Sequence, residues 1–340
     1  MKKTVLFLFA GLLLSSVPVQ ADETATESLA YDARLTGYTY PFEVSFYSVS
    51  SQGKSLEMAY MYLEGDKNKP VVILLHGKNF NGAYWAQTAL WLHDQGYSIL
   101  IPDQIGFGKS SKPVDYQFSF AALATNTRKL MDELNIRKSI IVGHSMGGML
   151  ASRFALLYPD RTQKLILVNP IGLENYLQYV QYKDVDFFYR NELGQTAEKI
   201  RRYQQKNYYD GAWNKTYAAW THPLIGWAQG PDKDQLAKVS ARTYDMIFTQ
   251  PTVTEFPIIQ VPTALILGTR DRTGPGRGWK RDGVDYELGR YDRLGRQVIR
   301  LIPQATLYEL PGLGHLPQIE DFDRFKELFA KALVLNSEQK

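Results

Sequence analysis

Five short runs along the chain are almost wholly apolar: "VVILL" at 71–75, "SILIP" at 98–102, "SIIVG" at 139–143, "KLILV" at 164–168 and "TALIL" at 263–267. A strand with one wet face alternates polar and apolar residues, so a run without alternation belongs to a strand covered on both faces. Between the runs lie segments with helical spacing. These are "GAYWAQTALWLHDQG" after the first, a stretch from Phe120 to Asn135 after the second, and Met146 to Tyr158 after the third. Buried strands that alternate with helices imply a mostly parallel sheet with helices on both faces, an α/β class. Ahead of this series, "FEVSFYSVSSQGKSLEMAYMYLEG" alternates on both sides of Ser51-Gln52-Gly53-Lys54 and reads as a β-hairpin. Behind it, "TLYELPG" reads as a last strand and "DRFKELFAKALV" as a closing helix.

The series is interrupted between Gly172 and Phe256. That stretch has no short apolar strand and is dense in Tyr, Trp and Phe, and it reads as a mainly helical insertion over the carboxyl ends of the strands. Open α/β sheets bind their ligands there. The expected organisation is a core of residues 22–171 and 257–340 with a helical cap insertion at 172–256.

The first residues, two lysines followed by "TVLFLFAGLLL" and then "SSVPVQA" with Val19 and Ala21 at the small-residue positions, match an export signal over 1–21. The apolar run is short of the ~20 residues that a membrane span needs. The expectation is an exported chain, periplasmic or secreted, beginning near Asp22 and with no stable membrane insertion after cleavage. It has no cysteine, so neither a disulfide nor a cysteine-linked lipid is available to it. Its formal charge of +4 falls to +2 without Lys2 and Lys3. That near-neutral balance gives no ground for a nucleic-acid partner.

The chemistry is concentrated at Gly143-His144-Ser145-Met146-Gly147. Gly-x-Ser-x-Gly by itself is a weak signal, but here a buried strand leads into it and a helix leaves it. That is the setting of a nucleophile elbow, with Ser145 projecting from a sharp turn between close-packed glycines. A serine hydroxyl needs a base. Of the five histidines, His93 reads as surface and His222 as structural. His144 adjoins the serine with its ring pointing away, and His76 ends a strand. His315, in "LPGLGHLPQ" after the last strand, is the base that a loop can drop onto Ser145. The orienting acid is expected at Asp271 in "LILGTRDRTGP", which gives the chain order Ser, Asp, His. Asp282, Asp285 and Asp103 are weaker rivals, and Asn169 has no charge to offer. Two backbone N–H groups are expected to hold the oxyanion: Met146, and Lys78 or Asn79 in the loop after "LLHG".

With these residues in view, the chain resembles the α/β-hydrolase superfamily, in the branch that carries a helical cap. The resemblance rests on His76-Gly77, "DQIGFGKS" at 103–110, "GHSMGG" at 143–148, Asp271 in "GTRD" and "GLGH" at 312–315. It implies the α/β-hydrolase fold and a serine triad that works without a cofactor or metal. Haloalkane dehalogenases and epoxide hydrolases share the architecture but carry aspartate as nucleophile. The sequence departs from many relatives at Lys78-Asn79, where they have a proline two residues after His-Gly.

Other features read as bland. "GFGKS" lacks the first glycine of a phosphate-binding loop, since Asp103 stands in that place. The basic loop "RDRTGPGRGWKRDG" at 270–283 reads as a solvated loop, with anion binding as its alternative. The expected substrate is a small molecule, apolar or aromatic, cleaved at an ester or related acyl bond. The alternatives are an amide, lactone or carbon–carbon bond, acyl transfer, or a non-catalytic binding protein on the same scaffold.

Overall fold

The structure of the chain is a computed structural model that describes residues 29–334; the expected export signal at 1–21 lies outside the described residues. Eight strands form one sheet: β1 (Ser45–Ser51), β2 (Lys54–Leu63), β3 (Val71–Leu75), β4 (Ser98–Pro102), β5 (Ser139–His144), β6 (Thr162–Val168), β7 (Thr263–Gly268) and β8 (Ala305–Leu310). Their order is β1-β2-β4-β3-β5-β6-β7-β8. The β1/β2 hairpin is antiparallel and joins β4 antiparallel; every other pairing is parallel.

The apolar runs lack alternation because consecutive residues enter two different cores. Ile73, Leu75, Ile141, Leu165, Leu167, Leu265 and Leu267 belong to one, and Val72, Leu74, Ile140, Val142, Ile166, Val168 and Ile266 to the other. The first core is closed by helices α2 (Phe120–Glu133), α3 (Met146–Leu157) and α9 (Tyr291–Val298). The second is closed by α1 (Ala86–Asp94) and, after the short α10 (Pro317–Glu320), by α11 (Phe322–Leu333). Each of these buried branched side chains contributes about 1.5–3 kcal/mol relative to exposure, which pins the register of the central strands.

Five helices lie between β6 and β7: α4 (Val185–Leu193), α5 (Ala197–Tyr208), α6 (Lys215–Ala219), α7 (His222–Gln229) and α8 (Lys233–Thr249). Several start where the sequence supplies an N-cap. Asp184 accepts from the Phe187 amide, Thr196 from Lys199 and Asn214 from Tyr217. Aromatic stacking joins α4 to α8, with Phe188 against Tyr244 (5.0 Å between centroids) and Phe248 (5.6 Å).

An element without a periodic signature completes the fold. The irregular segment from Tyr31 to Tyr40 straps the cap helices to the core. Tyr31 N donates to Gly226 O (3.0 Å) and Ala33 N to Asp232 Oδ2 (2.7 Å), while Lys109 Nζ donates back to Leu35 O (2.6 Å).

Candidate active site

Ser145 sits alone between the end of β5 and the start of α3, at φ 57° and ψ −123°. For a residue with a Cβ this left-handed conformation costs about 1–3 kcal/mol, supplied by the packing around it. Both flanking glycines are forced by that packing. A Cβ on Gly143 would overlap the Gly147 carbonyl, and one on Gly147 would overlap the Leu75 carbonyl on β3. The turn is held at the carboxyl edge of the sheet by Ser145 N donating to Val168 O (3.2 Å).

His315 follows β8 and Asp271 follows β7, and their loops bring both to Ser145. His315 Nε2 lies 3.0 Å from Ser145 Oγ, and His315 Nδ1 lies 2.7 Å from Asp271 Oδ2. An ionised carboxylate only accepts, so His315 Nδ1 carries the proton and Nε2 is free to accept the serine hydrogen. Both side chains are fully buried. Burial alone would raise the Asp271 carboxyl, but the charge and hydrogen bond of His315, with further bonds from Asn169 and Thr273, hold it below the usual range. Asn169 Nδ2 donates to Asp271 Oδ2 (2.9 Å) and the Thr273 amide to Oδ1 (2.7 Å). Of the rival acids, Asp282 and Asp285 are exposed. Asp103 is buried elsewhere, accepting from Tyr40 Oη, Gly82 N and Lys109 N.

The loop after β3 is a tight turn closed by Phe80 N donating to Gly77 O (3.2 Å). It abuts the serine, since a Cβ placed on Gly77 would stand 3.1 Å from Ser145 Cβ. Gly77 is pinned from two sides: its amide donates to Tyr84 Oη (3.1 Å) and its carbonyl accepts from His76 Nδ1 (2.9 Å). The carbonyl and the next N–H of a trans peptide point in opposite directions. Fixing the Gly77 carbonyl on His76 therefore fixes the Lys78 N–H facing the other way. Met146 N–H stands at the first turn of α3, where helical amides have no intrahelical partner and carry positive potential. Among the described residues, neither the Lys78 nor the Met146 amide has a hydrogen-bond acceptor.

His144 has a part that the sequence pattern did not show. Its Nε2 lies 2.7 Å from the His315 carbonyl, which can only accept, so Nε2 bears the proton. Its bare Nδ1 then accepts from Tyr84 Oη at 2.9 Å, and the same oxygen accepts from the Gly77 amide. One continuous chain of hydrogen bonds thus ties the His315 loop, the residue before Ser145 and the loop of Lys78. Burial, with His315 next to it, holds the His144 pKa down to about 3, so the ring stays neutral and keeps this tautomer. His76 is likewise kept neutral by burial, accepting from Gln104 N through Nε2. His93 donates from Nε2 to Glu64 O far from this centre, and His222 opens α7.

The cap covers the centre. Tyr208 of α5 lays its ring over His315, 4.7 Å between centroids and 26° from parallel, and Asn79 Nδ2 donates to Tyr208 Oη (2.9 Å). Lys78 Nζ donates to Ser240 Oγ (2.7 Å) on α8 and sits 3.8 Å from the Tyr244 ring centre. Desolvation lowers its pKa to about 8, against the opposing pull of Glu192. Beyond Lys78 and Asn79 opens a cavity of about 740 Å³ walled by Phe107, Phe188, Tyr203, Trp227, Tyr244 and Phe248 among others. Lys78 and Asn79 line the cavity, whereas Ser145, Asp271 and His315 do not. Among the described residues no cluster of three His, Cys, Asp or Glu could hold a metal, and no helix is long and apolar enough to cross a membrane.

Residues 70–322 match the family model described as the α/β-hydrolase fold. The chain belongs to the α/β-hydrolase family. Among relatives of this α/β hydrolase, 2-hydroxy-6-oxo-6-phenylhexa-2,4-dienoate hydrolase of Burkholderia cepacia is 35% identical over 305 residues, covering 82% of this chain and 93% of that protein. Fluoroacetate dehalogenase of a Burkholderia species is 30% identical over 246 residues, covering 67% and 68%. Among solved structures, a probable hydrolytic enzyme of Pseudomonas aeruginosa PAO1 superposes with a TM-score of 0.87 at 44% identity, covering 90% of this α/β hydrolase and 99% of that chain.

Proposed function

We propose that this α/β hydrolase cleaves a carboxylic ester or related acyl compound through an acyl-enzyme formed on Ser145. The observation that carries the reading is the unbroken line Ser145 Oγ, His315, Asp271, set beside two amides with no acceptor of their own. His315 Nε2 takes the serine proton as Oγ bonds to the substrate carbonyl carbon. The carbonyl oxygen gains the negative charge between the Lys78 and Met146 N–H groups. The carbon–oxygen bond to the leaving alcohol then breaks, and His315 returns the proton to that oxygen. Water repeats the sequence on the acyl-enzyme, releasing the acid and restoring Ser145. Asp271 holds the imidazole tautomer and stabilises the imidazolium during both steps.

The dehalogenase named among the relatives is a poor guide to this site. Displacement of halide from a saturated carbon by Ser145 would leave an ether, which has no carbonyl for water to attack. A second reading is favoured by the other relative. The dienoate in its name contains no ester, so its hydrolysis requires a carbon–carbon bond beside a ketone to break. The same serine, histidine and amides serve that reaction if a carbanion, rather than an alkoxide, accepts the returned proton. Turnover of p-nitrophenyl esters of graded acyl length tests the first reading, with Ser145→Ala as control. Esters left untouched by the wild type, together with turnover of a vinylogous diketone, would favour the second.

The reading includes export. Residues 1–21 are proposed to be removed, so the mass of the chain recovered from the periplasm or medium should correspond to a start at Asp22. An intact mass in the cytoplasm would contradict it.

A further inference from the structure

The cavity bordered by Lys78 and Asn79 has a charge pattern that the hydrolase reading does not use. Six cationic side chains line it, Lys78, Lys199, Arg202, Lys206, Lys233 and Arg277, against one carboxylate, Glu192. Glu192 is already taken, accepting from Ser240 Oγ (2.7 Å), which in turn accepts from Lys78. Arg202 pairs with Glu198 one turn earlier on α5, both side chains exposed. Lys199, Lys233 and Arg277 donate to backbone carbonyls or to Asn207, and none of these three, nor Lys206, has a carboxylate partner among the described residues. A cleft lined by one sign of charge concentrates ligands of the other sign, here through a largely solvent-facing set in which Lys199, Arg202, Lys206 and Arg277 are exposed.

The arrangement is helical as well as local. Lys199, Arg202 and Lys206 stand at i, i+3 and i+7 on α5, so they share one face; all three are exposed, on the side away from buried Ile200, Gln204 and Tyr208, and they line the cavity where it meets solvent. Arg277, on the basic loop at 270–283, also lines the cavity and donates to Asn207 on α5. That loop therefore contributes to the cavity as well as to the protein's solvated surface. The lining also carries rings: Phe188, Tyr203, Tyr244 and Phe248.

Resting on the hydrolase reading for its chemistry, we infer that the cavity selects anionic acyl substrates. Such a substrate has an apolar or aromatic body among the rings and a carboxylate, distal to the scissile carbonyl, at the cationic face formed by α5 and Arg277.

Two measurements separate this inference from the hydrolase reading. The first compares the mono-p-nitrophenyl ester of adipic acid with p-nitrophenyl hexanoate, which match in chain length and differ in the terminal carboxylate. The anionic ester should have the higher kcat/KM at low salt, by about tenfold, and lose the advantage at high salt, as steering does. Lys206→Gln and Arg277→Gln should each lower the anionic-to-neutral ratio severalfold, whereas Lys238→Gln, whose ammonium pairs with Asp234 outside the cavity, should leave the ratio alone. The second titrates the wild-type protein with hydrocinnamate and with hydrocinnamyl alcohol, read by the fluorescence of Trp227 and Trp279 in the cavity wall. Tighter binding of the acid supports the inference even if neither ester is cleaved, in which case the hydrolase reading alone fails. Equal or weaker binding of the acid overturns the inference, whatever the esters do.

Discussion

Tyr84→Phe removes one oxygen and nothing else. Tyr84 is 2% exposed, and its ring stacks on Phe80 at 4.8 Å and 6°, a contact that phenylalanine retains. The lost oxygen serves two buried partners, accepting from the Gly77 amide and donating to His144 Nδ1. His144 cannot reverse its tautomer to compensate, because its Nε2–H is committed to the His315 carbonyl. Two buried polar atoms are left without partners, at about 1–3 kcal/mol each, so stability should fall by about 2–6 kcal/mol. Catalysis should fall as well. The Gly77 amide anchors the turn that presents the Lys78 N–H, and a whole oxyanion donor is worth roughly 3 kcal/mol. Loosening rather than deleting it should lower kcat by about tenfold while KM stays within about twofold. Urea unfolding followed by tryptophan fluorescence reads the first effect, and ester turnover the second. Tyr182→Phe, which loses one exposed bond to Asp245, is the control and should change stability by less than about 0.5 kcal/mol. A Tyr84→Phe protein as stable and active as that control would refute the hydrogen-bonded chain as the link between the two loops.

Asp271→Asn should keep the fold and lower kcat by about 10⁴-fold through the wrong histidine tautomer; full activity would mean that the acid lies elsewhere. Asp282→Asn and Asp285→Asn, both exposed, should leave kcat unchanged in the same assay. Acid stability follows from His144, whose pKa drops from 6.5 to about 3 on folding. The unfolded chain binds this proton below pH 6.5 and the folded chain does not. The stability is therefore complete above pH 6.5 and lost as pH falls towards 3, at about 1.4 kcal/mol per pH unit. Urea midpoints measured from pH 7 down to pH 4 check this, and a flat profile would contradict the buried neutral ring.

The core was legible because its code is simple. Val72 and Ile73 face opposite cores, so the run that contains them carries no alternation, and the same holds through β5, β6 and β7. The elbow was legible because Gly143 and Gly147 are spaced for the approach of Leu75 and of the helix. His315 and Asp271 could be located by chain order and by their place after strands, and the structure brings both to Ser145. The strap from Tyr31 to Tyr40 was not legible, since its bonds go to carbonyls and side chains some two hundred positions away and leave no local period. Tyr84 was equally hidden. In sequence it is one ring in an apolar helical stretch, and only the fold places its hydroxyl between Gly77 and His144. Asn169, which read as an uncharged strand end, supports the acid instead. Its amide donates to Asp271 Oδ2, while its own oxygen accepts from Gly268 N (2.8 Å).

The central claim is that Ser145 is an activated nucleophile. The most direct measurement is labelling of the purified protein with a fluorophosphonate, followed by peptide mapping, with Ser145→Ala alongside. The account predicts a single modified peptide carrying the adduct on Ser145, and no labelling of the variant. An unlabelled wild type, or an adduct on another residue that persists in Ser145→Ala, would contradict it.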